Sequence, residues 1–293
     1  MNDDRVVFDR VKLRRQRCRA EAGFAQHDFL FRELAERLLD RLADIRQGFP
    51  LAADLSPQLG LLEVVRRGID PALGGIETMI GAAAIMPRTS GLFLLCEEEA
   101  LPFRPNSLDL ILSCMGLHWV NDLPGALVQI RDVLKPDGLF LGVLLGGETL
   151  TELRQCLMEA ELEARGGVSP RVSPMVGVRD AAGLLQRASF ALPVVDSETI
   201  TVTYPDALAL MRELRGMGEG NALMARFRGP INRDVIARAA ALYAERFADR
   251  DGRLRATFQA IFLTGWAPAA NQQQPAQRGS GEVNLRDVFS NKC

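Results

Sequence analysis

Residues 108–115 and 139–145 are two apolar runs on either side of a segment with helical periodicity. Nearly every residue in these runs is apolar, which is typical of parallel strands that are buried on both faces of a sheet. The segment between them ends in Lys135-Pro136-Asp137-Gly138, where proline and glycine stop a helix. We therefore predict a βαβ unit, and the rest of the fold has to be compatible with it.

Shorter elements before this unit continue the alternation of strands and helices. They are an amphipathic helix at 24–45, a strand at 51–55, a helix at 60–67 and strands at 75–80 and 92–96. Such alternation indicates an α/β fold with an open, doubly wound, mostly parallel sheet. Ligands of such sheets bind beyond the carboxyl ends of the strands. The polar residues expected at or near those ends are Asp54, Glu77, Glu97 and His118.

The pattern changes after Gly147, where helices predominate. The predicted elements are helices at 150–164, 180–188, 206–214 and 233–247 and strands at 199–204 and 256–266. The final residues are rich in Gln, Ala, Gly and Pro, which is typical of a flexible tail. We divide the chain into an N-terminal helical segment (1–48), a sheet domain with helical insertions at about 150–190 and 205–250 (49–267), and a flexible tail (268–293).

The charge of the chain limits the classes of partner. The net charge is -2 and the pI is about 5.9, so no basic excess would attract nucleic acid. The first thirty residues are locally basic, and we interpret their cations as the solvated face of a helix. These cations are Arg10, Lys12, Arg14, Arg15, Arg17 and Arg19.

The cysteines and the N-terminus indicate the compartment. The 5 cysteines form no CxxC pair, so we expect reduced thiols, a cytoplasmic location and no zinc site. The first four residues, Met1-Asn2-Asp3-Asp4, are acidic and lack the apolar core of a signal peptide. No apolar stretch reaches the roughly 20 residues that span a bilayer. Any membrane association is therefore expected to be peripheral.

Several segments together resemble class I S-adenosylmethionine (SAM)-dependent methyltransferases. They are the strand ending in Asp54, the acidic residues after the next two strands, and segments 101–103, 108–113 and 134–141. Segments outside the general fold resemble the complex I assembly factor 5 family. The segments with this second resemblance are 8–10, 49–55, 97–103, 117–127, 146–154, 215–222 and 275–285. The resemblance covers nearly the whole chain, including the tail.

This family resemblance implies a seven-stranded, Rossmann-like sheet and a role in the maturation of respiratory complex I. The implied partner is a peripheral-arm subunit, modified by hydroxylation or methylation of an arginine, and the implied cofactor is SAM. The family has mitochondrial members, which act on the matrix side of the inner membrane, and alphaproteobacterial ones. Two alternatives stay open. One is a non-catalytic assembly chaperone with a degenerate SAM site, and the other is an O-methyltransferase of a carrier-bound carboxylate, as in related biotin-pathway enzymes.

The turn after the first strand departs from the family pattern. Methyltransferases of this class use glycines there, so that the backbone can approach the cofactor, and the family sequence is D-L-G-C-G-R-G. The matching residues here are 54–60, and Asp54 and Gly60 remain. Ser56 and Gln58 replace two glycines, and Pro57 removes a backbone donor. Either SAM still binds, or the pocket has degenerated and the fold remains as a scaffold.

The resemblance also implies cofactor contacts and a candidate general base. An acidic residue should end the second strand, but Met79 aligns there, with Glu77 two residues earlier on the same face. His118 follows the fourth strand, where methyltransferases position the acceptor. It is either a general base or a structural histidine beside Trp119. The residues implied to bind SAM are Asp54, Ser56, Gly60, Glu77, Glu97 and Met115.

Metal chemistry has few candidate ligands. The 2 histidines, His27 and His118, share no HxD pattern, so we expect no iron site of two histidines and one carboxylate, and no other metal. The glycine-rich segment 215–222, which contains Glu219, suits either substrate contact or a turn. The tail segment 275–285 suits either a partner-binding strand or a disordered end.

Overall fold

The computed structural model describes residues 6–58, 60–85, 91–229 and 232–272 together with Gly279. Its α-helices are α1 (Arg10–Ala20), α2 (Phe29–Ala43), α3 (Leu61–Ile69), α4 (Leu123–Val133), α5 (Thr151–Arg165), α6 (Val178–Arg187), α7 (Ala207–Gly216) and α8 (Arg233–Phe247). Its strands are β1 (Leu51–Asp54), β2 (Thr78–Ala83), β3 (Leu92–Leu95), β4 (Leu108–Cys114), β5 (Leu134–Leu145), β6 (Ala191–Tyr204) and β7 (Leu254–Trp266).

The strands form a 7-stranded sheet in the order β3-β2-β1-β4-β5-β7-β6. Strands β1 to β5 are parallel, whereas β7 runs antiparallel to both β5 and β6. The two apolar runs of the sequence are β4 and β5, which pair with each other near the centre. This order confirms the predicted doubly wound α/β fold, with the carboxyl ends of β1 to β5 along one edge.

Helices cover both faces of the sheet. One face packs against α2, α3, α5, α7 and α8, and the other packs against α4 and α6. Helix α2 illustrates how an amphipathic pattern produces a packed helix. Its residues Leu30, Leu34, Leu38 and Leu42 recur every four positions, lie on one face of the helix and are all buried. Burying each such side chain contributes about 1.5–3 kcal/mol. Helix α6 packs in the same layer as α4.

The second strand lies further along the chain than predicted. The predicted strand at 75–80 overlaps β2 but starts too early, because Gly74 and Gly75 adopt φ angles of 72° and 59° in a turn and β2 begins only at Thr78. Pairing with β1 then fixes its register, with Asp54 opposite Gly81. Glu77 therefore precedes β2, at the end of the sheet opposite to the expected cofactor site. Its backbone N–H donates to the carbonyl of Pro50.

Within the described ranges, no helix is long and apolar enough to cross a membrane. The predicted flexible tail (268–293) lies outside those ranges beyond residue 272, except for Gly279, and so does almost all of the segment 275–285.

Candidate functional site

The N-terminal segment crosses the carboxyl edge of the sheet and is fixed there. The backbone N–H groups of Val7 and Phe8 donate to Oδ1 of Asn121 at 2.8 and 2.7 Å, and Nδ2 of Asn121 donates to the carbonyl of Phe8 at 3.2 Å. Asp9 caps α1 by accepting from the N–H of Lys12 at 2.9 Å. The ring of Phe8 packs edge-on against Trp119, 5.2 Å between centroids. Helix α1 is therefore held over the residues that follow β4.

Asp54 ends β1 in a fully enclosed position. Its Oδ1 accepts from the N–H of Ser56 at 2.8 Å, while its Oδ2 has no partner among the described residues. Burial raises the pKa of Asp54 to about 7, although the hydrogen bonds from Ser56 act in the opposite direction. The side chain of Ser56 accepts from the N–H of Cys114 at 2.8 Å, which ties the altered turn to the end of β4.

The altered turn also closes against the chain that follows β4. A Cβ added at Gly116 would lie 3.0 Å from the carbonyl oxygen of Leu55 and 3.5 Å from Cδ of Pro57. Gly60 adopts a φ of 87° at the start of α3, which glycine tolerates well. It faces a groove between α3 and the outer strands, beside Met79 and Phe93. The turn thus brings Ser56 and Pro57, but not Gly60, to the end of β4.

Glu97 is at the expected edge of the sheet, but arginines of α1 already bind it. Arg10 donates from Nε and Nη2 to Oε2 of Glu97 at 3.2 and 2.5 Å, and from Nη1 to the carbonyl of Trp119 at 3.0 Å. Arg10 also pairs with Glu98, and Arg14 with Glu97. Burial opposes ionisation of Glu97, yet the bonds from Arg10 and Arg14 hold its pKa below the ordinary value.

The prediction that the N-terminal cations form a solvated face was wrong for Arg10 and Arg17. Their side chains are 15% and 5% exposed, respectively, because each forms an ion pair inside the protein. Arg15 and Arg19 on the same helix are exposed, as predicted. The hydrophilic pattern of α1 therefore conceals a buried polar face, which hydrophobic periodicity cannot detect.

The place where the fold would hold SAM, at the carboxyl ends of β1, β2 and β3, is occupied by side chains of this chain. We call this place the filled cleft, and its residues are Arg10, Arg14, Pro57, Ala83, Glu97 and Glu98. The free volume there is about 10 Å³, roughly the space that one water occupies. Strand β2 ends at Ala83 and Ala84 follows it, so neither residue offers a carboxylate to a ribose. Of the acidic residues implied to bind the cofactor, Glu97 is already paired with arginines, whereas Asp54 pairs with no arginine in the described part of the chain.

A second space at the same edge of the sheet is open. This space, which we call the apolar cavity, has a volume of about 690 Å³. Its lining residues are Leu30, Met115, Trp119, Leu145, Leu150, Leu153, Leu157, Arg171, Val172, Ser173, Met175, Leu208, Met211, Leu214, Arg215, Met217, Glu219, Gly220, Asn221, Arg233, Ile236 and Phe258. Met115, which the resemblance implies to bind SAM, is fully buried in this lining.

Glu219 connects the apolar cavity to the N-terminal segment. Its Oε1 accepts from Arg17 at 3.2 Å, and its Oε2 lies 2.9 Å from Nε2 of His118 and also accepts from the indole N–H of Trp119. Burial opposes ionisation, but Arg17, His118 and Trp119 keep the pKa of Glu219 below its ordinary value. The glycine-rich segment 215–222 thus supplies a buried, charged wall residue.

His118 lies behind this wall rather than in the apolar cavity. Its side chain is 1% exposed, and Nδ1 has no partner among the described residues. Any role of His118 toward a bound molecule would have to pass through Glu219 or Trp119. In the part of the chain that the structure describes, no three His, Cys, Asp or Glu side chains group closely enough to hold a metal ion.

The sheet order and the helices on both faces of the sheet define a methyltransferase-fold protein. A family model for a methyltransferase domain matches residues 72–142. The solved structure of YcgJ from Bacillus subtilis superposes with a TM-score of 0.54 over 80% of this chain and 99% of its own, at 14% identity, which shows the fold alone.

The relatives by sequence are more specific. Arginine-hydroxylase NDUFAF5, mitochondrial, from Danio rerio is 42% identical over 96% of this chain and 89% of its own length. The Homo sapiens protein of the same name is 39% identical over 96% and 83%. The chain belongs to this family, which confirms the resemblance seen in the sequence. A malonyl-[acyl-carrier protein] O-methyltransferase of Methylovorus is also similar, 33% identical over 94% of this chain and 95% of its own.

Proposed function

We propose that this protein is an assembly factor for respiratory complex I that acts on an arginine of a peripheral-arm subunit. The main support is the relation to the two vertebrate arginine-hydroxylases, which extends over 96% of the chain rather than over the sheet domain alone. The proposed location is the bacterial cytoplasm, where the client subunit would be reached before or at the membrane surface.

The filled cleft implies that this action does not use SAM in the pose usual for the fold. Glu97 and Glu98 are neutralised by Arg10 and Arg14, so a cofactor would first have to displace α1. That displacement would leave the carboxylate of Glu98, now 1% exposed, without its cation. Titration calorimetry of the full chain with SAM and with S-adenosylhomocysteine should therefore give no binding heat at millimolar ligand. Micromolar binding would contradict this part of the proposal and restore SAM-dependent transfer, including the O-methyltransferase alternative.

The client would meet the protein at the wall formed by Trp119 and Glu219. Both residues line the apolar cavity and are fixed by neighbouring side chains. Glu219 is hydrogen-bonded to Arg17 and His118, and Trp119 packs against the ring of Phe8. Neutralising Glu219 would remove the negative charge of this wall while keeping the side-chain shape. Glu219→Gln is thus the most informative variant for function, and exposed Glu245 provides a matched control.

A gene deletion in a bacterium that carries the protein and complex I tests the proposal. Complex I assembly is measured on native gels, and the arginines of the peripheral-arm subunits are examined by mass spectrometry. We expect the deletion to lower assembly and to remove an added oxygen from one arginine. The wild type and Glu245→Gln should restore both, whereas Glu219→Gln should not. Normal assembly and unchanged arginines in the deletion strain would contradict the proposal.

A non-catalytic assembly chaperone is the second candidate, and the filled cleft favours it. The same strains distinguish it from the first. Loss of assembly without any change in arginine mass would indicate a chaperone. An arginine that loses a methyl group instead of an oxygen would indicate methyl transfer.

A further inference from the structure

The apolar cavity is too large and too apolar to be explained by the chemistry of an arginine substrate. Fourteen of its lining residues are Leu, Ile, Val, Met or Phe, and its volume of about 690 Å³ falls within the range of small-molecule sites. Four of the fourteen are methionines, whose unbranched side chains adapt to the shape of a bound chain. These properties fit an extended apolar ligand.

The exposed part of the cavity lining, which we call its outer end, contains the arginines Arg215 and Arg233. Arg215 and Arg233 line it and are exposed, and among the described residues neither has a carboxylate within salt-bridge distance. Arg233 is also the first residue of α8, where the helix dipole adds positive potential. Arg171, by contrast, is already paired with Glu161 at 2.6 Å. Two uncompensated guanidinium groups would attract an anion and repel a cation.

The interior holds one polar group that lacks a partner. Ser173 is 5% exposed and lines the cavity, and its hydroxyl has no hydrogen-bond partner in the described part of the chain. A buried hydroxyl without a partner costs free energy, which a ligand oxygen would recover. Glu219, the buried carboxylate of the same lining, is compensated by Arg17 and leaves the interior without free negative charge.

We propose that the apolar cavity binds an anionic amphiphile, with its acyl chain among the leucines and methionines, one oxygen at Ser173 and its anionic group at Arg215 and Arg233. The ligand class is an acyl chain with a carboxylate or phosphate, whether a free fatty acid or an acyl chain on a phosphate-bearing head group. This inference does not rest on the proposed function, although both concern the lining of the same cavity, so a bound amphiphile would influence how a client meets Trp119 and Glu219.

Trp119 gives a direct measure of binding, since it lines the cavity and the chain has only 2 tryptophans. The full chain carrying Trp266→Phe is freed of copurified lipid and titrated with decanoate, decanol and decyltrimethylammonium below their micellar concentrations. We expect Trp119 fluorescence to change saturably with decanoate. Binding should be about ten-fold weaker for decanol, as expected for the loss of one charge-assisted contact, and weaker still for the cation.

Variants at the outer end test the role of the arginines. Arg215→Ala combined with Arg233→Ala should abolish the preference for decanoate over decanol while both still bind. The matched control is Arg212→Ala, because Arg212 is an exposed arginine of α7 that does not line the cavity. This control should keep the preference. Ser173→Ala should weaken the binding of decanoate by a few-fold.

A parallel titration with decanoyl lysophosphatidate distinguishes the two sources of the ligand. Tighter binding than decanoate supports a phosphate head group, and weaker binding supports a free fatty acid. The proposal is overturned if no probe changes the fluorescence of Trp119. Equal binding of acid, alcohol and cation in the unsubstituted cavity would overturn it as well.

Discussion

The filled cleft and the apolar cavity lie side by side at the carboxyl edge of one sheet, and they differ in how much space their side chains leave free. In the filled cleft, arginines of α1 meet Glu97 and Glu98 and leave about 10 Å³ free. In the apolar cavity, a lining made mostly of apolar side chains leaves about 690 Å³ free. The ion pair of Arg17 and Glu219 stands between them. Two neighbouring parts of one sheet edge can therefore differ completely in packing within a single methyltransferase fold, so fold alone does not define chemistry.

The largest expected effect tests whether the filled cleft is a structural unit. Arg10→Met keeps the aliphatic stem but leaves Glu98, which is 1% exposed, without its cation. Removing one partner of a buried ion pair costs about 3–5 kcal/mol of the free energy of unfolding. Urea denaturation measures this loss. Arg15→Met on the exposed face of α1 is the control and should change stability by less than about 0.5 kcal/mol. Equal stability of the two variants would mean that the cleft is not a structural unit.

Asp54 gives the next effect, through pH. Burial raises its pKa from 3.8 to about 7, so between these values the folded protein keeps a proton that the unfolded chain releases. The contribution of Asp54 therefore makes the protein less stable as pH rises from about 4 to about 7, by at most about 4 kcal/mol. Asp54→Asn removes the titrating group, and its stability should fall less over this range.

Glu97 and Glu219 have lowered pKa values, so their contributions raise the stability of wild type and of Asp54→Asn alike as pH rises. The quantity to measure is therefore the difference between the stability profiles of these two proteins. We expect wild type to lose roughly 2–4 kcal/mol more than Asp54→Asn across this range. Exposed Asp40→Asn serves as the control with a wild-type profile. Parallel profiles for wild type and Asp54→Asn would show that Asp54 is ionised in the folded protein.

The two regions also differ in how far the sequence predicts them. The apolar runs of β4 and β5 predict the centre of the sheet, because strands buried on both faces need uninterrupted apolar residues. Helix α8 begins and ends as predicted, since its periodicity is regular and Asn232 caps it. The predicted position of strand β2 was too early in the chain, because the small residues Gly81 to Ala83 carry almost no strand preference of their own. Pairing with β1 determines its position.

The sequence indicates the positions of several candidate site residues but not their contacts, because ion pairs between distant segments leave no periodic signal. Asp54, Glu97 and Met115 lie at the expected edge of the sheet, but the pairing of Glu97 with Arg10 joins residues 87 positions apart. Glu219 was one residue of a glycine-rich loop in the sequence, and its contacts with Arg17 and His118 span 202 and 101 positions. An acidic residue inside such a loop was the available signal, and its partners required the fold.

The smallest expected effect comes from the apolar cavity itself. In a close-packed core, truncating a leucine such as Leu38, which is 0% exposed, costs about 2–5 kcal/mol because a new void forms. Met211 lines a space that already exists and is only partly buried, so Met211→Ala creates no new enclosed void. We expect it to cost less than about 1 kcal/mol in urea denaturation, against the larger loss for Leu38→Ala. A cost for Met211→Ala close to that of Leu38→Ala would mean that the cavity is packed in solution. The contrast between a filled and an open half of the sheet edge would then disappear.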